Sequence, residues 1–188
     1  MLRNSTRYVL RRARDISRFR RARGGATAVE FALIAPAFLA IVIALLEVSY
    51  FLFAQQTLQT AAVEAGRLFM TSQGPSQASL LATNSNICKI IQPLLSCGSV
   101  MVDVQPYDTF SAADAGAPTL TYDGQGNVTN TWSYAAGTPG QVVVVRLMYQ
   151  LTTIRGPLGF VLSNLSNGMM LAMGVTAVRV EPSATAGG

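Results

Sequence analysis

The sequence predicts an α+β fold, in which a long N-terminal transmembrane helix packs on a small antiparallel sheet that carries a decorated loop. Three observations favour this fold. An uncharged apolar run spans Phe31 to Leu46, a helical pattern continues to Met70, and runs of alternating apolar residues follow. Half of the 188 residues are apolar and only 12% are charged, with a mean hydropathy of +0.35, which indicates that part of the chain lies in lipid.

The first 25 residues form a basic leader. They hold nine arginines and one aspartate and carry a charge of +8, whereas the rest of the chain carries −3. Basic residues favour the cytoplasmic side of a membrane span, so we expect the N-terminus in the cytoplasm and the rest of the chain exported. The sequence does not favour nucleic acid as a partner, because the net positive charge comes from the leader and a nucleic-acid binder would leave the span unexplained.

The predicted span covers residues 31–53. As a helix these 23 residues rise about 34 Å, which is enough to cross a hydrocarbon core of roughly 30 Å. A buried core helix of a soluble protein would show a polar face, and the first sixteen residues show none. A cleaved signal peptide is disfavoured because the run is too long, begins after Glu30 and has no A-x-A site at its end. The span should therefore remain attached.

A gap of small residues, which begins with Gly24-Gly25-Ala26 after Arg23, separates the arginines of the leader from the span. Glycine adopts extended backbone readily and does not clash with a protease cleft, so the pair suits a cut site at the membrane edge. A cut after Gly25 would free the amine of Ala26, whose pKa in the absence of perturbation is about 8. That amine would lie one helical turn from Glu30, and a carboxylate at the lipid boundary is a functional candidate by default.

Two further positions of the apolar helix stand out. Pro36 removes a backbone hydrogen bond, which predicts a kink or local unwinding. Glu47 follows the uncharged run, and its carboxylate could reach the membrane interface beside Tyr50 or pair with another subunit.

Beyond the span, apolar residues at three- and four-residue steps predict that the helix continues from Thr27 to about Met70. The expected buried stripe consists of Leu58, Ala61, Ala62, Ala65 and Phe69. Gly74-Pro75 ends this helix, and a weaker helical signal covers residues 76–95.

Alternating apolar residues then predict strands at residues 99–105 and 141–152, and a third apolar run predicts a strand at residues 170–180. The second should place Val143, Val145, Leu147, Tyr149 and Leu151 on one face. Residues 119–122 could add a short edge strand. The segment from Tyr107 to Gly140 is rich in Gly, Asn, Thr, Ser and Pro and is predicted to form a long loop, which either offers a partner surface or caps the sheet core with its aromatic residues.

Chemistry-bearing residues are scarce. The chain has no histidine, and its two cysteines, Cys88 and Cys97, are expected to form a disulfide in an oxidising compartment. No nucleophile and base pair, metal-ligand set or cofactor motif is evident. We therefore expect a protein that is not an enzyme and that holds no metal or cofactor.

The residues from Arg23 to Arg67 resemble the N-terminal segment of the TadE-like proteins, minor pseudopilins of the tight-adherence (Tad, type IVc) pilus. The correspondence rests on Gly25, Glu30-Phe31, Pro36, Glu47 and the run Ala61-Ala62-Val63-Glu64-Ala65-Gly66-Arg67. It covers about a quarter of the chain, and a weaker similarity lies at residues 176–182. The length fits a TadE-like or a TadF-like protein, and the sequence leaves both open.

The resemblance implies a pilin-like fold and a structural role in pilus assembly or initiation and in adherence. The prepilin peptidase would cut between Gly25 and Ala26, in a processing site that includes Glu30 and Phe31, and Glu30 would guide the mature subunit into the fibre. Implied partners are that peptidase, other minor pseudopilins, the major pilin, the inner-membrane pilus platform and inner-membrane lipid. The implied organisation is a cleaved cytoplasmic leader (1–25), a long helix (26–70) and a periplasmic α+β domain (71–188). The alternative is an uncleaved, signal-anchored periplasmic scaffold or binding protein.

Overall fold

The computed structural model of the chain describes residues 24–71, 74–154, 159 and 161–181. Residues 1–23 of the predicted leader lie outside them. The fold is α+β, as predicted, with one long helix followed by short helices and a three-stranded antiparallel sheet. The elements are α1 (Gly24–Met70), α2 (Gln77–Leu80), α3 (Asn86–Ile91), a 3₁₀ turn (Cys97–Ser99), β1 (Met101–Tyr107), β2 (Val142–Leu151) and β3 (Met170–Arg179).

Within the described residues, 24–45 belong to one compact unit, and 46–154 with 161–181 belong to a second. The first unit consists of the N-terminal half of α1 and, among the described residues, Gly159; most of the large apolar side chains in this half of the helix are exposed to solvent. Thr27–Met70 is the one helix among the described residues that is long and apolar enough to cross a membrane, with a peak mean hydropathy of 2.6. The helix continues through Pro36 without an interruption, so the local unwinding considered above does not occur.

In the second unit, α1 buries a stripe of residues three and four apart. Leu58, Ala61, Ala62, Ala65 and Phe69 are all fully buried, which confirms the stripe predicted from their spacing. Ala54 extends this stripe toward the N-terminus, and Phe51 packs against the same core. The small alanines allow the helix to approach the sheet closely, and Phe69 closes the core at the end of α1.

The sheet has the strand order β1-β2-β3, with both pairings antiparallel. Its central strand β2 is buried from Val142 to Met148, since each face of the sheet is covered. Val143, Val145, Leu147 and Leu151 share the core with α1, and Tyr149 packs against it, as the alternation predicts. The other face carries Val142, Val144, Arg146 and Met148.

The backbone of α1 lies directly on β3. A Cβ atom added to Gly174 would lie 2.2 Å from both the carbonyl carbon and oxygen of Leu58. Next to this contact, the Gln59 side-chain amide donates to the Val175 carbonyl (2.9 Å) and accepts from the Val175 N–H (3.0 Å). A Cβ atom added to Gly66 would lie 2.7 Å from the Thr176 methyl carbon, which belongs to a side chain. Glycine is therefore needed at position 174, where the neighbour is backbone, and leaves room for a β3 side chain at position 66.

The residues between α1 and β1 form two short helices where the sequence indicated one weak helix. Ser85 explains the break: its hydroxyl caps α3 by accepting from the Cys88 N–H at 3.1 Å, and Ser76 caps α2 in the same way. The Sγ atoms of Cys88 and Cys97 are bonded to each other, and both residues are buried. The disulfide ties α3 to the turn that leads into β1.

The long segment between β1 and β2 lies across the sheet instead of extending from it. The Val104 N–H donates to Ser133 (2.8 Å) and the Ala135 N–H donates to Val104 (3.0 Å), so residues 133–135 run beside β1. The predicted edge strand at residues 119–122 is wrong, since only Tyr122 pairs, in a small hairpin with Val128.

One aromatic residue of this segment joins the core. Tyr134 packs edge-on against Phe69, with ring centroids 6.0 Å apart, and its hydroxyl donates to the Pro75 carbonyl at 2.7 Å. Burial raises the pKa of Tyr134 to about 12. This side chain therefore fits the predicted role of a cap on the core.

Candidate processing and assembly site

The first turn of α1 contains the predicted cut site. The helix begins at Gly24, so the bond between Gly25 and Ala26 is helical, whereas the glycine pair alone indicated extended backbone. Gly25 is exposed, and a Cβ atom added there would meet no atom within 4 Å. Because a protease cleft binds extended backbone, the first helical turn would have to open before cleavage.

Glu30 lies one helical turn beyond Ala26, as the spacing predicts for two residues four apart. Its side chain is exposed, and no ion pair involving Glu30 is found among the described residues. Phe31 is 72% exposed. This end of α1 thus presents one carboxylate followed at once by a large apolar surface, which is suited to contact with lipid or with other helices.

Glu47 has a partner that the sequence did not indicate. Its carboxylate accepts a hydrogen bond from the backbone N–H of Ile154 at 2.9 Å, three residues after β2 ends. The helical spacing could have predicted the direction of this side chain. Residues 47, 51, 54 and 58 form one continuous stripe on α1, and the last three of these pack against the sheet. Glu47 therefore faces its own sheet domain.

A buried ion pair on the outer face of the sheet was also missed. Asp103 and Arg146 stand opposite each other in the register of β1 and β2, and both are at least 97% buried. Arg146 Nη1 donates to Asp103 Oδ2 at 2.5 Å. Asp103 also accepts from the Ser133 N–H at 3.0 Å and from the Gln105 side chain, so its carboxylate is well satisfied.

The same pair holds the long segment at two points. Arg146 Nη2 donates to the carbonyl of Asp114, while Asp103 binds Ser133. Burial alone would lower the pKa of Arg146, but hydrogen bonds with Tyr107 and Asp103 outweigh it and hold that pKa above its ordinary value. Arg146 is therefore charged at all physiological pH values and fixes the segment between residues 114 and 133 against the sheet.

No group of three or more Cys, Asp or Glu side chains in the described part of the chain is arranged to hold a metal ion.

In the comparison with protein families, residues 25–73 match the model of the TadE-like proteins. The matched segment is about a quarter of the chain and covers nearly all of α1. It agrees with the resemblance drawn from the residues between Arg23 and Arg67, which is thereby confirmed. Curated proteins and solved structures gave no match.

Proposed function

We propose that this chain, whose N-terminal helix is TadE-like, is a minor pseudopilin of the Tad pilus that acts structurally in pilus assembly or initiation and so in surface adherence. The family match suggests involvement in this pilus. The observation that carries the finer proposal is the division of α1. Its N-terminal half exposes apolar side chains, whereas its C-terminal half is built into the core of the sheet domain.

The exposed half of α1 suits two environments in turn. One apolar helix near the N-terminus suggests a single-pass membrane anchor, and we propose that it enters the inner membrane with the leader in the cytoplasm and the sheet domain in the periplasm. The same side chains, Phe31, Ile34, Phe38 and Ile41 among them, would later pack against other pilin helices in the fibre. Pro36, which lacks a backbone N–H, weakens the helix in the part that must leave the lipid.

Processing would provide the polar contact. Cleavage after Gly25 by the prepilin peptidase removes the basic leader and leaves an ammonium group on Ala26, one turn from Glu30. A carboxylate in an apolar fibre core is costly unless it is paired, so Glu30 would favour the position next to an amine of its own chain or of a neighbour. Other minor pseudopilins, the major pilin and the inner-membrane platform are the proposed partners.

The first prediction concerns cleavage. We expect Edman sequencing of the membrane-extracted protein to begin at Ala26 in cells that have the prepilin peptidase and at Met1 in cells that lack it. The mass should differ by that of residues 1–25. A chain that begins at Met1 in both strains would contradict processing and would favour an uncleaved, signal-anchored periplasmic scaffold.

The second prediction separates processing from assembly. We expect Glu30→Ala to be cut normally but to give few or no pili by electron microscopy, because the subunit loses the carboxylate that pairs with an amine. Glu64→Ala is the matched control: it also removes a carboxylate from α1, but one that makes only an exposed pair with Arg67 at 3.5 Å. Wild-type piliation in Glu30→Ala would contradict the assembly role.

A further inference from the structure

The hydrogen bond between Glu47 and Ile154 connects the sheet domain to a particular level of α1. Glu47 is the first charged residue after the uncharged run that ends at Leu46. Its carboxylate accepts from the Ile154 N–H at 2.9 Å. The connection that follows β2 therefore lies at the level where the uncharged part of the helix ends.

Both partners need this bond if they lie near lipid. A backbone N–H at a membrane boundary must find an acceptor, and a carboxylate there must find a donor. Glu47 lies on the stripe that continues through Phe51 and Ala54 into the core, so it is directed toward its own domain. The hydrogen bond thus satisfies the Glu47 carboxylate and the Ile154 N–H, two polar groups that would otherwise have to remain in contact with water.

The two segments that this bond joins carry exposed apolar side chains. In residues 74–154 and 161–181, the exposed large apolar side chains are Phe110, Ile154 and Val161, and the last two lie in the connection between β2 and β3. Ile154 is 61% exposed although its N–H is bonded. On α1, the exposed apolar residues near Glu47 include Leu46, one residue before it, and Tyr50, three residues after it. An aliphatic rim with a tyrosine is typical of a membrane interface.

We propose that Ile154, Val161, Leu46 and Tyr50, which we call the lipid rim, contact the surface of the bilayer that α1 crosses. The rim would contact lipid for two reasons. It begins at Leu46, where the uncharged part of the helix ends, and the hydrogen bond from Ile154 to Glu47 holds Ile154 beside this end of the uncharged run. The proposal depends on insertion of α1 in a membrane and does not depend on cleavage or on a role in a pilus.

The lipid rim moves the outer boundary of the span. A span that ended at Phe53 would place Glu47 and Ile154 about 9 Å below the boundary, inside the hydrocarbon. With a boundary at Leu46, both groups of the hydrogen bond between Glu47 and Ile154 would lie at the membrane surface. The proposal therefore expects the outer boundary at Leu46, whereas hydropathy alone predicts it at Phe53.

Spin labels on engineered cysteines test the rim directly, because the native cysteines are bonded to each other. The full-length chain would be labelled at Ile154→Cys, Val161→Cys or the control Ser111→Cys and reconstituted in vesicles of phosphatidylethanolamine and phosphatidylglycerol. Ser111 is exposed but lies in the segment that covers the sheet. Relaxation by oxygen and by a water-soluble nickel chelate then measures the depth of each label.

We expect the labels at 154 and 161 to relax faster with oxygen than with nickel, as groups at the lipid boundary do, and the label at 111 to show the reverse. Two outcomes would overturn the proposal. Nickel dominance at both rim positions would place the rim in water, and low accessibility to both reagents would mean that protein covers it.

A second measurement tests the bond that positions the rim. In Glu47→Ala we expect the amide proton of Ile154 to exchange with solvent at least about tenfold faster, because it loses a charged acceptor. Glu47→Gln keeps an acceptor oxygen and should stay closer to the wild type. Equal exchange in all three proteins would show that the bond does not hold Ile154 at this level.

Discussion

Replacing Gly174 by valine is expected to destabilise the sheet domain by about 3 kcal/mol or more, because overpacking against backbone cannot be relieved by a change of rotamer. The first added atom would lie 2.2 Å from the Leu58 carbonyl and 2.5 Å from the Gln59 nitrogen. Since α1 cannot move away from one residue alone, the helix should separate from β3. The two hydrogen bonds between Gln59 and Val175 would be lost with it.

The measurement is the midpoint of urea denaturation of the full chain in mild detergent, followed by circular dichroism and by tryptophan fluorescence. Gly98→Val is the matched control, because a Cβ atom at Gly98 meets nothing within 4 Å. We expect the control to remain near the wild-type midpoint. A wild-type midpoint for Gly174→Val would mean that α1 does not lie on β3 as described.

Replacing Arg146 by methionine is expected to cost about 3–5 kcal/mol, because the change leaves the Asp103 carboxylate buried without its counter-ion. Asp103→Ala should cost a similar amount, because it leaves the Arg146 guanidinium buried without its counter-ion. Joint replacement, Asp103→Leu with Arg146→Met, should cost clearly less than the sum of the single changes, since no charge then remains buried.

Limited proteolysis reports what the ion pair does for the long segment. Arg146 binds Asp114 and Asp103 binds Ser133, so single replacements should release residues 114–133 and accelerate cleavage there. The exposed pair of Arg67 and Glu64 provides the control, and Glu64→Ala should change the free energy of unfolding by less than about 1 kcal/mol. If the loss of unfolding free energy in the double variant equals the sum of the losses in the two single variants, Asp103 and Arg146 act independently and the prediction is wrong.

Local patterns were sufficient to predict α1 and the three strands. Each predicted strand matches its observed range within two residues, because each strand contributes apolar residues to the core and these residues form the runs seen in the sequence. The buried stripe of α1 followed from spacing for the same reason. Patterns failed for the segment between β1 and β2, which is held by side-chain and isolated backbone contacts that have no period.

The polar contacts were harder to predict than the apolar ones. Asp103 and Arg146 are 43 positions apart, and only the register of β1 and β2 brings them together. Glu47 could have been assigned to the domain-facing stripe from its spacing to Phe51 and Ala54. Its partner could not, because a backbone N–H such as that of Ile154 has no signature in the sequence.

The contact between Gln59 and Val175 has a consequence for how copies of this protein can associate. A sheet normally ends in strands whose free N–H and C=O groups can recruit a strand from another molecule. On β3, at one edge of the sheet, the Gln59 side-chain amide forms hydrogen bonds with the backbone N–H and C=O of Val175. On β1, at the other edge, residues 133–135 form hydrogen bonds with the backbone N–H and C=O of Val104. At these positions a strand from another molecule could pair with the sheet only after displacing these contacts.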